Sequence, residues 1–358
     1  MATTLQNDLL AFYFTSQLPD LRWQTDEAAL TVSLYCGAYG VGNILELTLT
    51  AVGGYVDLLE VRDAVERKMR YLHRDYIPMV VRWRPADSDS YTSSQTIQVY
   101  YCDKNIVGSC SAWIDSHFLT TLKSKPLPTG DAVERLYFYA PRAMAVTPQT
   151  SVTCRMSDGS VRTLPVNFFS STTVSVSIKA NLSWTLPGIL AAAQGVDEDA
   201  EEVLAVAIQA GSRVMTYYKP ALKPNLAIAF LNCFGLTEIA WLNCVTTKKT
   251  KDGRKIAHVA HRAVAYDLVP QVTYETETCP LPLETADWLS QLIIAPLAWL
   301  GDGTAIVITD GDASISDDAA VMNSVKFTWQ RDDSRDLMNI DNVDIDIFVK
   351  PPYSYQFD

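Results

Sequence analysis

The most suggestive catalytic string in the sequence is Gly108–Trp113, which reads Gly-Ser-Cys-Ser-Ala-Trp and contains Cys110. A cysteine becomes a good nucleophile when a helix N-terminus or a neighbouring histidine lowers the pKa of its thiol. His117 is close in sequence, but the string lies inside a segment that we expect to be a strand. The pattern therefore favours a half-buried strand cysteine over a catalytic thiol.

A second pattern, His258 and His261, has the spacing of two metal ligands on a helix. On a strand, the same spacing sends the two rings to opposite faces of the sheet. The residues around them follow an Asp-Gly turn at Asp252 and alternate as a strand does. We therefore interpret these histidines as ordinary strand residues and predict no zinc site.

The acidic segment Asp310–Asp318 begins like the calcium-binding loop of an EF-hand. It has Ile315 at the sixth position, where that loop needs glycine, and Val321 at the twelfth, where it needs glutamate. A strict EF-hand is therefore excluded. A looser calcium loop between strands and a solvated acidic turn both remain open.

Other groups of carboxylates have structural explanations. Asp341, Asp344 and Asp346 are typical of a charged edge strand, and Asp197–Glu202 is typical of a helix N-terminus. The chain contains neither a phosphate-binding glycine loop nor a G-x-S-x-G nucleophile motif. We therefore assign no catalytic, cofactor-binding or metal-binding residue, and we predict a protein that is not an enzyme and uses no cofactor.

The composition predicts a folded protein with several cores. The chain has 358 residues, of which 48% are hydrophobic and 20% charged, which is not typical of a disordered protein. Its 29 basic and 41 acidic residues give a net charge of -12. That balance disfavours general binding to nucleic acid or to anionic membranes.

Targeting signals are not recognisable in the sequence. The first residues carry no basic region before an apolar stretch, and the longest apolar run, 289–300, is interrupted by Pro296. The seven cysteines are odd in number and irregularly spaced, which is a poor disulfide framework. We expect free thiols, synthesis in the cytoplasm and no membrane insertion.

Short alternating segments, which are typical of strands, dominate the chain. They are Ala29–Tyr35, Thr96–Cys102, Thr173–Ile178, Val325–Trp329 and Val343–Val349. The apolar run Ala305–Thr309 predicts a strand buried on both faces. Ile106–Ile114 is predicted to return from a turn at Asp103–Asn105 as the second strand of a hairpin. In that hairpin, Ile97, Val99, Tyr101, Val107 and Trp113 should be buried.

Helical patterns are few. Asp57–Arg70 has apolar residues at helical spacing, with Asp57 as a possible N-cap. Pro282–Leu292 predicts a short helix, whereas Glu198–Ile208 fits either a helix or a strand that begins at Val203. The fold class that follows is mainly β, with two or three β-sandwich-like domains and a few short inserted helices.

Proline-rich segments at Lys125–Gly130 and Lys219–Asn225 suggest where the chain divides. The predicted parts are an N-terminal arm (1–23), a β-rich domain with one helix (24–140), a β-rich middle domain (141–222), a β-sandwich-like domain (223–350) and a C-terminal tail (351–358). The two ends are rich in apolar residues and need cover. We expect a homo-oligomer in which the arm is exchanged between subunits; docking of the arm on its own chain is the alternative.

Residues 210–335 carry an ordered series of features. The series consists of Phe230–Glu238, a turn at Thr250–Gly253, Tyr274–Thr278, a short helix around Trp288, Ala305–Asp310 and Asn323–Gln330. In this order and character, the region resembles tail-associated structural proteins of phages and prophages of gut Bacteroidota. The resemblance includes no invariant catalytic motif.

The resemblance implies a virion protein of the tail or baseplate, of the distal-tail type, that builds rings from β-sandwich domains. Its partners would be further copies of itself and other tail proteins, after synthesis in the host cytoplasm. One alternative is a carbohydrate- or surface-binding β-sandwich module, for which the 8 Trp and 17 Tyr residues could form stacking platforms. A hydrolase that uses an acidic pair is the third.

Overall fold

The structure is a computed structural model. It describes residues 3–129, 132–140, 150–164, 178–189, 203–252, 255–259, 262–267, 270–318 and 321–331. The chain is mainly β, with several sheets and a few short helices, as the sequence predicts. It divides into two compact units. Unit 1 contains residues up to His117 together with Cys233–Leu236, and unit 2 contains Phe118–Asn232 and the chain from Thr237 onward.

Unit 1 consists of two sheets, in which most strand pairs are antiparallel, and two helices. Its elements are β1 (Thr4–Leu5), β2 (Phe12–Phe14), a 3-10 turn (Thr15–Gln17), β3 (Leu21–Gln24), β4 (Ala29–Cys36), β5 (Gly42–Thr50), β6 (Tyr55–Leu58), α1 (Val61–Tyr71), β7 (Tyr76–Pro85), β8 (Thr92–Ser93), β9 (Ile97–Tyr100) and α2 (Cys110–Ser116). One sheet has the order β1-β3-β6. The other has the order β2-β9-β7-β4-β5, with β8 on β7.

The core of unit 1 follows from two periodicities. In β4, Leu30, Val32 and Leu34 lie buried on one face, as predicted from the period of two, and Thr31 and Ser33 on the other face are buried as well. In α1, Val61 and Val65 lie one turn apart and face the same cluster. The helix begins at Val61, so the prediction of a start at Asp57 is wrong. Asp57 belongs to β6, where its carboxylate accepts a hydrogen bond from Arg22 Nε at 2.6 Å.

The predicted hairpin is only half correct. Ile97, Val99 and Tyr101 are buried as expected, but the returning strand does not exist. Val107 is 97% exposed, and Trp113 is half-buried on α2. The physical reason is a helix cap, because the Ser109 side chain accepts a hydrogen bond from the backbone N–H of Ala112.

Residues 3–23 pack within their own unit. β1 pairs with β3, and β2 pairs in parallel with β9. The apolar side chains of this segment that are buried are Tyr13, Phe14, Leu18, Leu21 and Trp23. This is the docking on the same chain that the sequence left open, so the segment needs no exchange with a neighbour to be covered.

Unit 2 contains four groups of strands. Its strands are β10 (Ser124–Pro126), β11 (Val133–Ala140), β12 (Thr150–Met156), β13 (Val161–Leu164), β14 (Ile178–Thr185), β15 (Val203–Ala210), β16 (Arg213–Tyr218), β17 (Leu226–Leu231), β18 (Thr237–Leu242), β19 (Cys244–Asp252), β20 (Lys255–Val259), β21 (Arg262–Asp267), β22 (Pro270–Thr278), β23 (Ala298–Leu300), β24 (Ala305–Ser314) and β25 (Ser324–Arg331). The orders are β10-β16-β15-β12-β13, β18-β17-β23-β24-β25-β22-β19, β11-β14 and β20-β21.

Helix α3 (Leu283–Ile294) packs on the seven-stranded sheet of unit 2. Its buried residues include Leu289 and Leu292, which share a cluster with Phe327 and Trp329 of β25. The helix predicted to open at Pro282 and the alternation predicted for Val325–Trp329 are thus confirmed. The strand expected to be buried on both faces is not, because Val307 of β24 is 45% exposed while Ile306 is buried.

Several other predictions have clear outcomes. The segment predicted as a linker, Lys125–Gly130, begins inside β10, whereas Lys219–Asn225 does connect two strands. Val203 starts β15, which is the strand alternative for that region. Predictions for 173–177, 190–202 and 332–358, which include Asp197–Glu202, Asp341, Val343–Val349 and the tail, lie outside the described residues. The predicted boundaries at 23, 140 and 222 stay predictions.

Candidate functional site

Cys110 has the surroundings of a structural thiol. It is the first residue of α2 and is buried, and burial raises the pKa of its thiol well above the ordinary value. His117 follows the other end of this helix, where its ring stacks on Trp113 at 4.8 Å between centroids. A raised pKa keeps the thiol protonated, which opposes nucleophilic attack. The string was expected in a strand and lies on a helix, so that part of the prediction is wrong; the interpretation of Cys110 as a structural thiol stays a prediction.

The acidic segment at Asp310 is not a loop at its start. Asp310 and Asp312 belong to β24, which pairs with β25 through Ser314. His258 lies on β20, as predicted, while His261 is outside the described residues. Among the described residues, no three His, Cys, Asp or Glu side chains are grouped so that they could hold a metal ion. No helix within those residues is long and apolar enough to cross a bilayer.

The most unusual group of side chains in unit 2 is a buried ionic cluster of Lys125, Glu134 and Glu238. Lys125 and Glu134 are each 1% exposed, and Glu238 is 5% exposed. Lys125 Nζ lies 2.6 Å from Glu238 Oε1 and 3.3 Å from Glu134 Oε1. The three residues come from β10, β11 and β18, so the cluster joins strands of three different sheets.

Neutral groups complete the cluster. Thr120 Oγ1 donates to Glu238 Oε1 at 2.6 Å, and Tyr217 Oη donates to Glu134 Oε1 at 3.2 Å. Asn232 Nδ2 donates to Glu238 Oε2 at 3.0 Å. In contrast, Glu134 Oε2 is buried without a hydrogen-bond partner in the described part of the chain. Glu134 is therefore the less well satisfied of the two carboxylates.

The electrostatics divide the two carboxylates into different roles. Burial raises the pKa of Glu134, and Lys125 offsets this only in part. Burial acts in the same direction on Glu238, but the charge and hydrogen bond of Lys125 outweigh it, so the pKa of Glu238 is lowered. The pKa of Lys125 is raised, because the two carboxylates outweigh the effect of burial. The cluster is thus a Lys125–Glu238 ion pair beside Glu134, a carboxyl group whose pKa is raised by burial.

Sequence reasoning missed this cluster because its members are far apart in the chain. Lys125 was part of a presumed proline-rich linker, and Glu134 and Glu238 carried no motif. The available signal was weak: Glu238 is the single charge in the otherwise apolar strand β18, and Glu134 stands beside Arg135 in β11. A single charge in a buried strand needs a partner, but the sequence does not say which.

A pocket of unit 2 lies beside the cluster. It is lined by Val133, Glu134, Arg135, Tyr137, Ala229, Thr237, Ile239, Trp299, Leu300 and Gly303. This lining contains no histidine, cysteine or serine, and its surface is mainly apolar.

Strand β5, at the edge of the larger sheet in unit 1, has one side that is not paired with another described strand. In the described part of the chain, β5 pairs with β4 on one side and with no strand on the other. Leu47 lies opposite Val32, so it faces the core side of the sheet, yet it is 41% exposed because no strand follows β5. The only charge of β5 is Glu46, whose carboxylate is held by Asn43 and by Tyr91 Oη.

The tryptophans of the chain are not arranged as an exposed platform. Seven of the eight are buried: Trp23, Trp83, Trp184, Trp241, Trp288, Trp299 and Trp329. The eighth, Trp113, is half-buried against Phe14, Phe234 and His117. Indole rings that stack on sugars need an open face, so these side chains contribute to the cores instead.

Comparisons with known proteins give no family. No family model and no curated protein matches the chain. A solved structure of the full extracellular region of plexin A4, domains 1 to 8, is similar at 9% identity and a TM-score of 0.22. The similarity covers 94% of this chain and 40% of that chain, so this chain spans about two fifths of its length. At this TM-score the similarity carries no argument.

Proposed function

We propose that the chain is a non-enzymatic structural component of a phage virion, of the tail or baseplate, and that it works as a ring-forming homo-oligomer. The observation that carries the proposal is the open edge strand β5, which offers a surface for assembly. The virion assignment itself rests on the resemblance of residues 210–335 to tail-associated proteins of phages and prophages of gut Bacteroidota.

The side chains of β5 favour pairing with another strand. An edge strand exposes a row of unpaired backbone N–H and C=O groups, and proteins usually protect it with lysine, proline or a short length. β5 is nine residues long and contains neither lysine nor proline. Its one charge, Glu46, is already engaged by neighbours on the same chain. The edge thus lacks the usual protection.

A second copy of the chain fits this edge. In an antiparallel pair centred on Leu47, each Leu47 meets its own copy, Leu45 meets Leu49, and Glu46 meets Thr48. No like charges face each other in this register, whereas a register centred on Glu46 would oppose two carboxylates. The leucines of the two copies would extend both cores across the new pair. A two-fold contact of this kind makes dimers, and a ring needs a second, heterologous contact.

The alternative, a carbohydrate- or surface-binding module, draws less support from the side chains. Its main argument was the supply of aromatic residues, and the tryptophans lie in the cores. Specific binding of the isolated chain on a glycan array would favour that alternative.

The virion assignment is tested on particles rather than on the isolated protein. Virions released from a host culture that carries the gene are purified on a density gradient and analysed by peptide mass spectrometry. We expect peptides of this chain in the particle fraction and in isolated tails. Their absence from both, with the protein present in the cell lysate, would contradict the virion assignment.

A further inference from the structure

The pocket beside the buried ionic cluster has a floor of apolar side chains from three neighbouring strands of the seven-stranded sheet. Ala229 of β17 lies opposite Ile239 of β18 on one side and opposite Trp299 of β23 on the other. Side chains that lie opposite each other share a face of the sheet. A small methyl group between two large side chains leaves a depression, and all three residues are more than nine tenths buried.

Strand β11 supplies one wall of the pocket. Val133, Arg135 and Tyr137 alternate along β11, so their side chains share one face, and all three line the pocket. Glu134 also lines it, but its side chain alternates to the other face, where Oε1 lies 3.3 Å from Lys125 Nζ. The charged group on the pocket face of β11 is therefore the guanidinium of Arg135.

Two polar side chains of the lining are not engaged by the protein. Arg135 and Thr237 are both half-buried, and neither side chain forms an ion pair or a hydrogen bond with any residue that the structure describes. In contrast, Arg213 of the same unit donates from Nη2 to the backbone carbonyl of Tyr139 at 3.0 Å. A polar group that is partly removed from water is stabilised by a hydrogen-bond partner. Both groups can donate, so they favour a ligand that accepts hydrogen bonds.

The charge and the size of the pocket select the class of ligand. A guanidinium binds a carboxylate through two parallel hydrogen bonds, and the Thr237 hydroxyl can donate a third. The cavity volume is about 50 Å³. Because one water molecule needs roughly 10–15 Å³ of such space, the pocket holds only a few non-hydrogen atoms.

This size excludes nucleotides and sugars from the interior of the pocket. The apolar floor also disfavours inorganic phosphate, because phosphate oxygens that face apolar side chains would lose their hydrogen bonds to water. A carboxylate with a short hydrocarbon chain meets both conditions, since only one of its ends is polar.

We propose that the pocket binds a short-chain monocarboxylate of about three to five carbon atoms, a size set by the cavity volume. The carboxylate accepts hydrogen bonds from Arg135 and Thr237, and the hydrocarbon chain covers Ala229 between Ile239 and Trp299. Burial of the chain supplies the hydrophobic part of the affinity, and the ion pair with Arg135 selects an acid over a neutral molecule. The inference does not depend on the proposed virion function, because the site lies within unit 2 and assembly is proposed through β5 of unit 1.

Ligand-observed NMR on the full-length protein tests the proposal. Saturation transfer from the protein to butyrate is measured during a titration at constant ionic strength, and butyramide serves as the neutral ligand of the same shape. We expect saturable binding of butyrate with a Kd of about 0.1–10 mM, since so small a ligand makes few contacts. Butyramide should bind at least about tenfold more weakly. Equal binding of the two ligands, or no saturable signal from butyrate, would overturn the proposal.

Two arginine variants then locate the site. Arg135→Gln removes the charge but keeps a polar side chain, and it should weaken butyrate binding at least about tenfold. Arg155→Gln is the matched control, because Arg155 is an exposed arginine of unit 2 on β12, outside the pocket lining; it should bind butyrate as the wild type does. Undiminished binding by a folded Arg135→Gln would overturn the assigned site. The comparison of butyrate with butyramide uses the wild type alone, so it decides the proposal even if that variant does not fold.

Discussion

The two units differ in the composition of their cores and in the side chains of their edge strands. Unit 1 has one continuous apolar core and leaves the edge strand β5 open. Unit 2 contains the buried cluster of Lys125, Glu134 and Glu238 between its sheets, and its edge strand β19 is lined with lysine. Both edge strands have nine residues. Only the side chains distinguish them.

This difference shows how the side chains of an edge strand favour or oppose its pairing with a further strand. On β19, Lys248, Lys249 and Lys251 are exposed, and a second strand that paired there would have to bury them. On β5, Leu45, Leu47 and Leu49 occupy the core-facing positions, and pairing would cover Leu47. If the chain assembles with copies of itself, as proposed, these side chains favour a contact through β5 over one through β19.

Among the changes predicted here, removal of the Lys125 cation should lower the free energy of unfolding the most. Lys125→Ala leaves two buried carboxylates without a counter-charge. We expect unit 2 to lose at least about 3–5 kcal/mol of unfolding free energy. Hydrogen exchange by mass spectrometry should show faster exchange in β10–β18 and unchanged protection in β4 and β9. Unchanged protection in both would contradict a stabilising role for the cluster.

A complementary substitution in the core of unit 1 should destabilise that unit alone. Leu34→Ala empties a fully buried position of β4, which should cost about 2–5 kcal/mol. In the same exchange measurement, protection should fall in β4, β7 and β9 and stay constant in β22 and β25. Equal losses in both units would show that they unfold as one body and that the comparison between them is invalid.

The pH dependence of unit 2 should have a characteristic sign. Because the pKa of Glu134 is raised above its ordinary 4.5, the folded state holds this proton longer than the unfolded state. The contribution of Glu134 to the free energy of unfolding should be fully present below pH 4.5 and should be lost as the pH rises through the raised pKa. The lowered pKa of Glu238 acts oppositely, so its contribution is lost as the pH falls below 4.5.

Glu134→Gln isolates the first of these effects. The amide mimics the protonated carboxyl group, so the decline of unit 2 stability on the alkaline side should disappear. Denaturant titrations of wild type and variant between pH 5 and pH 9 measure this difference. A decline that persists in the variant would assign it to another group.

The smallest expected effect concerns helix α2 in unit 1. Ser109→Ala removes the hydroxyl that caps the helix, which should cost about 1 kcal/mol. Thermal unfolding should show a small downward shift, whereas a change at Gly108, which has φ of +94°, should be worse tolerated. A loss as large as that of Leu34→Ala would show that Ser109 has a role beyond the cap.

The sequence predicts those elements whose pattern is local. β4 and β25 show a period of two, and Pro282 marks the start of α3, so these follow from neighbouring residues alone. Helix α2 was missed because seven residues with mixed character fit a strand as well as a helix. Its capping residue, Ser109, is the local signal that favours the helix.

The candidate site depends on information that is not local. Lys125 stands in a proline-rich segment, and only the pairing of β10 with β16 makes it a core residue. The open edge of β5 likewise depends on the order of strands in the sheet, which alternation does not determine. Composition and charge exclude classes of partner, but they do not identify a surface.

The most direct test of assembly through β5 is the mass of the protein in solution. Light scattering coupled to size exclusion at tens of micromolar compares wild type with Leu47→Lys and with Val245→Lys, a change at an exposed position of β19 that serves as a matched control. We predict an oligomer for wild type and Val245→Lys and a smaller species for Leu47→Lys. A monomeric wild type, or an oligomer unchanged by Leu47→Lys, would contradict the account.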